Sequence, residues 1–146
     1  MKKTFLAFTL ALTLPLYAAE ISFSYFGNEG SGSNRTYYSC NYVEDQASYF
    51  LNMLGAQKVR VLCTGGLQNW GWTPISLRAK FETPTVTGDS VETVEIHSDP
   101  WDAGCTLNTR LISDILKNFN NIEVVEKHDT CPFQDSNYYY LLKIQH

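Results

Sequence analysis

The sequence predicts an α+β fold in which two helices pack on one face of a mostly antiparallel β-sheet. Three observations lead to this prediction: two stretches with apolar residues at helical spacing, several stretches in which apolar and polar residues alternate, and four cysteines that can form two disulfides. The elements follow one another as a strand, a helix, three strands, a helix and two strands. A ferredoxin-like core with an added β-hairpin is the specific topology that we expect from this order.

The first 19 residues have the pattern of a bacterial secretory signal peptide. Two lysines precede an apolar run that is short for a membrane span, and the small residues Ala18 and Ala19 stand before Glu20. We therefore expect cleavage after Ala18 or Ala19, a periplasmic or secreted product, and no stable membrane span after cleavage. Residues 20–35 should form a short strand and a flexible linker, followed by a single disulfide-bonded domain over residues 36–146.

Two helices are predicted from the spacing of apolar residues. The first covers "NYVEDQASYFLNMLGA", where Asn41 can cap the N-terminus and Glu44 can complete a capping box. The second lies within "DPWDAGCTLNTRLISDILKNFNN" and presents a continuous apolar stripe that must be buried. Its start is expected either at Pro100 or, because Gly104 interrupts the pattern, near Cys105.

The other regular elements are predicted to be strands. The stretches "KVRVLC" and "ISLRAKFE" alternate between apolar and polar residues, so each should have one face toward the core and one toward water. Gly88 and Asp89 have the composition of a hairpin turn between two β-forming runs. Two further strands, "NIEVVEKH" and "NYYYLLKIQH", should close the chain.

Four cysteines in an exported chain indicate disulfides. No two of them have the spacing of a metal-binding pair, so we expect no metal and no cofactor. Cys40 and Cys63 end consecutive predicted strands that a helix joins, which places both at one end of the sheet. Cys105 opens the second helix and Cys131 follows the strand that runs back from it. We therefore predict the bonds Cys40–Cys63 and Cys105–Cys131.

Composition narrows the class of partner. Lysine and arginine number 11 against 15 acidic residues, and the formal net charge is −4. Affinity for nucleic acid comes mainly from basic residues on phosphates, so we expect no nucleic-acid partner. The three histidines form no recognisable catalytic motif with a serine, a cysteine or a carboxylate, and we assign no catalytic residue.

Two surfaces are candidate binding sites. Trp70 and Trp72 flank one glycine in "CTGGLQNWGWTP", which should lie at the tip of a long hairpin. Paired exposed tryptophans can stack on sugars, lie at a membrane interface or anchor a protein partner, whereas the ordinary alternative is that both rings cover the open end of the core. The second candidate is a basic strand face, which consists of Lys58, Arg60, Arg78 and Lys80. The alternative is that this face is an ordinary solvated surface.

These observations favour an exported, non-catalytic binding or assembly module that recognises a protein or an envelope polymer. A small exported enzyme or enzyme inhibitor is the alternative. The two classes differ in geometry, because an enzyme needs a concave site with convergent polar groups of shifted pKa, whereas a binding module can use a convex aromatic patch.

Overall fold

The computed structural model describes residues 16–26, 37–84, 86, 88–98, 104–131 and 137–146. This part of the chain contains two helices and six strands. In chain order they are β1 (Leu16–Tyr25), α1 (Cys40–Met53), β2 (Gln57–Gln68), β3 (Gly71–Pro84), β4 (Val91–His97), α2 (Cys105–Leu116), β5 (Ile122–His128) and β6 (Tyr139–Gln145).

The strands form two antiparallel sheets rather than the single sheet that we expected. The strand order is β1-β3-β2 in the first sheet and β4-β6-β5 in the second. The α+β class and the antiparallel pairing are confirmed, while the ferredoxin-like arrangement is not. That arrangement would add a fourth strand to the first sheet, but β4 pairs along its length with β6. Alternation along a strand predicts which side chains face the core, but it does not identify the neighbouring strand.

Both halves of the chain have the same connectivity. In each, a strand, a helix and two further strands follow one another, and the last strand lies between the other two. This arrangement is a split β-α-β unit. In each unit the first residue of the helix is a cysteine, bonded to a second cysteine in or just after the next strand. The fold therefore consists of two topologically equivalent units, although the sequence shows no obvious repeat.

Both predicted disulfides are present. Cys40 is bonded to Cys63 and Cys105 to Cys131, with Cα atoms 5.5 and 5.8 Å apart. The described residues contain no free cysteine. Two disulfides are typical of proteins that fold in an oxidising compartment.

The start of α1 differs from the prediction in its cap. Ser39, not Asn41, is the N-cap residue, and its hydroxyl oxygen accepts a 3.3 Å hydrogen bond from the backbone N–H three residues later. Glu44 does not complete a capping box; its carboxylate accepts a 2.7 Å hydrogen bond from the backbone N–H of Cys63. This contact joins α1 to β2 close to the first disulfide.

The two units share one apolar core. Helix α2 contacts both α1 and β1 of the other unit. Aromatic pairs also cross between the units: the rings of Phe50 and Tyr138 meet edge to face at 6.5 Å, and those of Phe81 and Phe119 stack at 5.6 Å. Because these side chains are buried, separating the units would expose apolar surface on both. Within the described part of the chain, neither helix has the length and apolar character that crossing a bilayer requires.

Strand β1 begins inside the segment that we predict to be the leader. Residues 16–19 pair with residues 81–84 of β3, whereas residues 20–25 pair with residues 75–80. Among the described side chains of β1, the three that are buried, Ile21, Phe23 and Tyr25, follow the predicted cleavage site, while Ala19 at that site packs against the core and is partly buried. Cleavage would therefore shorten β1 but keep these three buried side chains.

We expect the exported protein to begin at Ala19 or Glu20 and to contain both disulfides. Its intact mass should correspond to loss of the leader, and reduction should add four hydrogens, two for each bond. A mass that still includes residues 1–18, or one that reduction leaves unchanged, would contradict this prediction.

Candidate functional site

The hairpin of β2 and β3 ends in an uncharged aromatic tip. Gln68 pairs with Gly71, so residues 69 and 70 form a two-residue turn. No charged residue occurs on the hairpin between Arg60 and Arg78. We refer to the large side chains gathered at this end as the aromatic tip: Tyr37, Leu67, Trp70 and Trp72.

Trp70 projects from the turn into solvent. It is 99% exposed, and Leu67 nearby is 51% exposed. The interpretation that both tryptophans cover the core is therefore wrong for Trp70. The ring of Trp70 makes no contribution to packing within the described part of the chain, so its size and apolar character have no structural explanation there.

Trp72 has a different environment. It lies on β3 directly opposite Leu67, and it is partly buried. Its ring packs against the ring of Tyr37, with centroids 5.5 Å apart and planes tilted by 51°. Trp72 therefore helps to hold the tip in place, while Trp70 is the ring that a partner can contact.

Sequence analysis did not assign Tyr37 or Leu67 to this site. Tyr37 reaches it because the chain before α1 runs beside the end of β2: Ser39 bridges to Gly66, and the Leu67 N–H donates a 2.8 Å hydrogen bond to the Tyr38 carbonyl. The predicted Cys40–Cys63 bond could have indicated this neighbourhood, because it holds the start of α1 against β2.

Two consecutive glycines shape the base of the tip. Gly65 and Gly66 have φ angles of +88° and +77°, and the strand pairing shifts by one residue at Gly65. A Cβ atom on Gly65 would overlap the backbone carbonyl oxygen of Pro74, and one on Gly66 would lie 2.7 Å from the carbonyl oxygen of Tyr38. Neighbouring backbone thus fills the space on both sides, which fixes the direction in which the tip leaves the sheet.

The basic residues of β3 are exposed on the outer face of the first sheet. Arg78 and Lys80 both contact the carboxylate of Glu20 on β1, at 3.1 and 3.6 Å. One carboxylate therefore serves two cations. These pairs are largely exposed to solvent, so they contribute little to stability, but they lower the positive charge of the face.

The remaining two basic residues lie on β2. Lys58 contacts Glu82 at 3.0 Å, whereas Arg60 has no ion pair among the residues that the structure describes. The four predicted cations are thus brought onto one sheet, but two carboxylates accompany them. Lys58, Arg60 and Lys80 line a cavity of about 480 Å³ together with both carboxylates. Because the carboxylates offset the positive charge, the aromatic tip is the stronger candidate.

A cavity of about 470 Å³ lies between α2 and β5 and contains charged groups. There Asp129 accepts hydrogen bonds from Lys127 at 3.0 Å and from the Tyr140 hydroxyl at 3.3 Å. The bond from Lys127 lowers the pKa of Asp129, while burial, and then the Asp129 charge, raise the pKa of Tyr140. Both shifts move the pKa values farther from neutral pH, which is unfavourable for acid–base catalysis.

No set of three or more side chains that could hold a metal ion occurs in the described ranges. Comparison with protein families, with characterised proteins and with solved structures finds no match.

Proposed function

We propose that this protein is an exported, non-catalytic binding module that recognises a partner of the cell envelope or the extracellular space through the aromatic tip. The observation that carries the proposal is the 99% exposure of Trp70 at the apex of a hairpin. Tryptophan is the residue type most enriched among the anchors of binding interfaces, because it buries a large apolar area on contact.

The shape of the site supports binding rather than catalysis. The tip is convex, so it can enter a recess or a soft surface but cannot enclose a substrate. It is also held in place before binding, by the Tyr37–Trp72 contact, the two left-handed glycines and the Cys40–Cys63 bond. A site that is already ordered loses less conformational entropy when a partner binds.

Two independent features support the proposed compartment. The sequence begins with a pattern typical of an export leader, and the structure contains two disulfides, which persist in the periplasm or outside the cell. Both candidate surfaces would then face envelope or extracellular partners.

Within the alternative class, the convex tip favours an enzyme inhibitor over an enzyme. Protease inhibitors bind through rigid convex loops that fill the cleft of their target. Purification of the partner distinguishes this function from simple adhesion, because an inhibited partner loses its activity when the intact protein is added and keeps it when Trp70→Ala is added.

We expect Trp70→Ala to weaken retention of the oxidised protein on a native envelope fraction by about tenfold or more, because truncation of an anchoring tryptophan removes roughly 2 kcal/mol of binding free energy. The melting temperature should change by less than about 4 °C, since the ring is not packed. Tyr49→Ala, on the outer side of α1 and 48% exposed, is the matched control and should bind like the parent protein. Equal retention of all three proteins would refute a role for the tip.

A further inference from the structure

We infer that the surface recognised by the aromatic tip is the interfacial region of a lipid bilayer, into which Trp70 inserts. This inference rests on the proposed function, because it identifies the partner of the same site. Three properties of the tip lead to it: the absence of charge, the pairing of its backbone, and the arrangement of its rings.

The tip has the composition of a segment that enters a membrane interface. Between Arg60 and Arg78 the hairpin contains only apolar, aromatic, hydroxyl and amide side chains. Trp70 and Leu67 are its most exposed large apolar groups, at 99% and 51%. A charged side chain is costly where it enters the acyl chains, whereas tryptophan is enriched at the membrane interface because its ring is apolar and its N–H remains near water.

The backbone of the tip is already hydrogen-bonded. Strand pairing continues up to the turn, through Leu67 with Trp72 and Gln68 with Gly71. The N–H of Leu67 on the outer edge of β2 donates to the carbonyl of Tyr38. Unpaired backbone groups are the main obstacle to placing a non-helical segment in an apolar medium, and these contacts reduce their number on β2 and on the edge of β3 that faces it.

The arrangement of the rings favours a lipid surface over a sugar or a protein. A sugar site needs a flat platform with polar groups that converge on it, but the rings of Trp70 and Trp72 are not in contact, and Trp72 faces Tyr37 instead. A protein anchor is normally surrounded by groups that exclude water from it. Among the described residues no aromatic ring contacts that of Trp70, and it is 99% exposed at the apex, which suits insertion into a continuous medium.

The charges of the protein predict which lipids matter. Arg78 is seven residues from Gly71 along β3, roughly 23 Å at the rise of an extended strand. This separation exceeds the screening length of about 8 Å in physiological salt, so the basic residues of the hairpin cannot reach the headgroups that surround an inserted tip. The chain as a whole carries a net charge of −4. Binding should therefore need no anionic lipid and should be insensitive to salt.

The test uses the oxidised protein and vesicles of pure phosphatidylcholine, which carry no net charge. We expect the protein to sediment with the vesicles, and its tryptophan emission to shift to shorter wavelength as the indole leaves water. Trp70→Ala should lower the fraction bound about tenfold and remove most of the shift, while Tyr49→Ala should behave like the parent protein. High salt or added phosphatidylglycerol should leave binding unchanged.

Three results would overturn the inference, and they have different consequences for the proposed function. In the first, vesicles are not bound, but the native envelope still retains the protein through Trp70, and digestion of the envelope with a protease or a polysaccharide-degrading enzyme abolishes this retention. The partner is then a protein or a sugar, and the proposed function stands. If vesicles are bound only when anionic lipid is present and salt removes them, electrostatic attraction carries the binding. If neither surface shows dependence on Trp70, the proposed function fails as well.

Discussion

Replacing Gly65 by alanine is expected to disorder the aromatic tip and to lower the free energy of unfolding by about 3 kcal/mol or more. Gly65 has a φ angle of +88°, a conformation that costs any residue with a Cβ atom. The added methyl group would also overlap the carbonyl oxygen of Pro74. That oxygen belongs to the backbone of the neighbouring strand, so it cannot move aside without breaking the pairing of β2 with β3.

Gly55→Ala is the matched control for this substitution. Gly55 has a similar φ angle of +79°, but no atom lies within 4 Å of the position that its Cβ would occupy. The free energy of unfolding of this variant should therefore fall only by the cost of placing alanine in the left-handed conformation, about 1–2 kcal/mol. Urea unfolding of the two variants measures the difference, and Trp70-dependent envelope retention reports on the tip. Equal losses of stability would show that the backbone at Gly65 relaxes freely.

Removal of the Cys105–Cys131 bond by a double substitution to alanine is expected to cost about 3 kcal/mol. The bond closes a loop with a sequence separation of 26, which restricts the unfolded chain. Cys105 is only 1% exposed, so loss of its sulfur also leaves space in the core beneath α2. A loss of this size is a large part of the stability of a small protein, and the melting temperature should fall by at least roughly 10 °C.

The Cys40–Cys63 bond provides the matched comparison. Its sequence separation of 23 is nearly the same. Its removal should therefore increase the freedom of the unfolded chain by a similar amount and cost a similar free energy of unfolding. The two double variants should differ in function, because only Cys63 lies on the hairpin that carries the tip. We expect reduced Trp70-dependent retention for Cys40→Ala/Cys63→Ala and normal retention for the other pair, measured below both melting temperatures. Equal effects on retention would show that the bond does not position the tip.

Local features of the fold could be predicted from the sequence. The spacing of apolar residues identified both helices, and the alternation in β2 and β3 identified their exposed cations, because both patterns depend on neighbours along the chain. The pairing of strands could not be predicted in the same way. Glu20 could not be assigned to Arg78 and Lys80, since nothing in the local pattern shows that β1 lies beside β3.

Sequence analysis also did not detect the equivalence of the two units, because the units share buried positions rather than residue identities. Counting from the cysteine that begins each helix, corresponding positions have similar burial but different side chains. Packing requires that volume be filled, and many combinations of side chains can fill it. The equivalent pairs are Val43 with Asn108, Ala47 with Ile112, Phe50 with Ile115, and Leu54 with Phe119.

The candidate site was only partly predictable for a related reason. Parity along an extended strand places Trp70 and Trp72 on the same side, but the two-residue turn removes Trp70 from the strand altogether. The register shift at Gly65 then changes how β2 and β3 are aligned near the tip. Turn position and register depend on backbone conformation at the glycines, which residue type alone does not fix.

The Cys40–Cys63 bond gives the tip a mechanical property. A force applied to Trp70 is transmitted along both strands of the hairpin, and along β2 it reaches Cys63 after seven residues. From there the tension passes through a covalent bond to Cys40, the first residue of α1. Hydrogen-bonded ladders yield one pair after another under sustained tension, whereas a disulfide opens only by chemical exchange with a thiol. Peeling of β2 should therefore stop at Cys63 for as long as this bond remains oxidised.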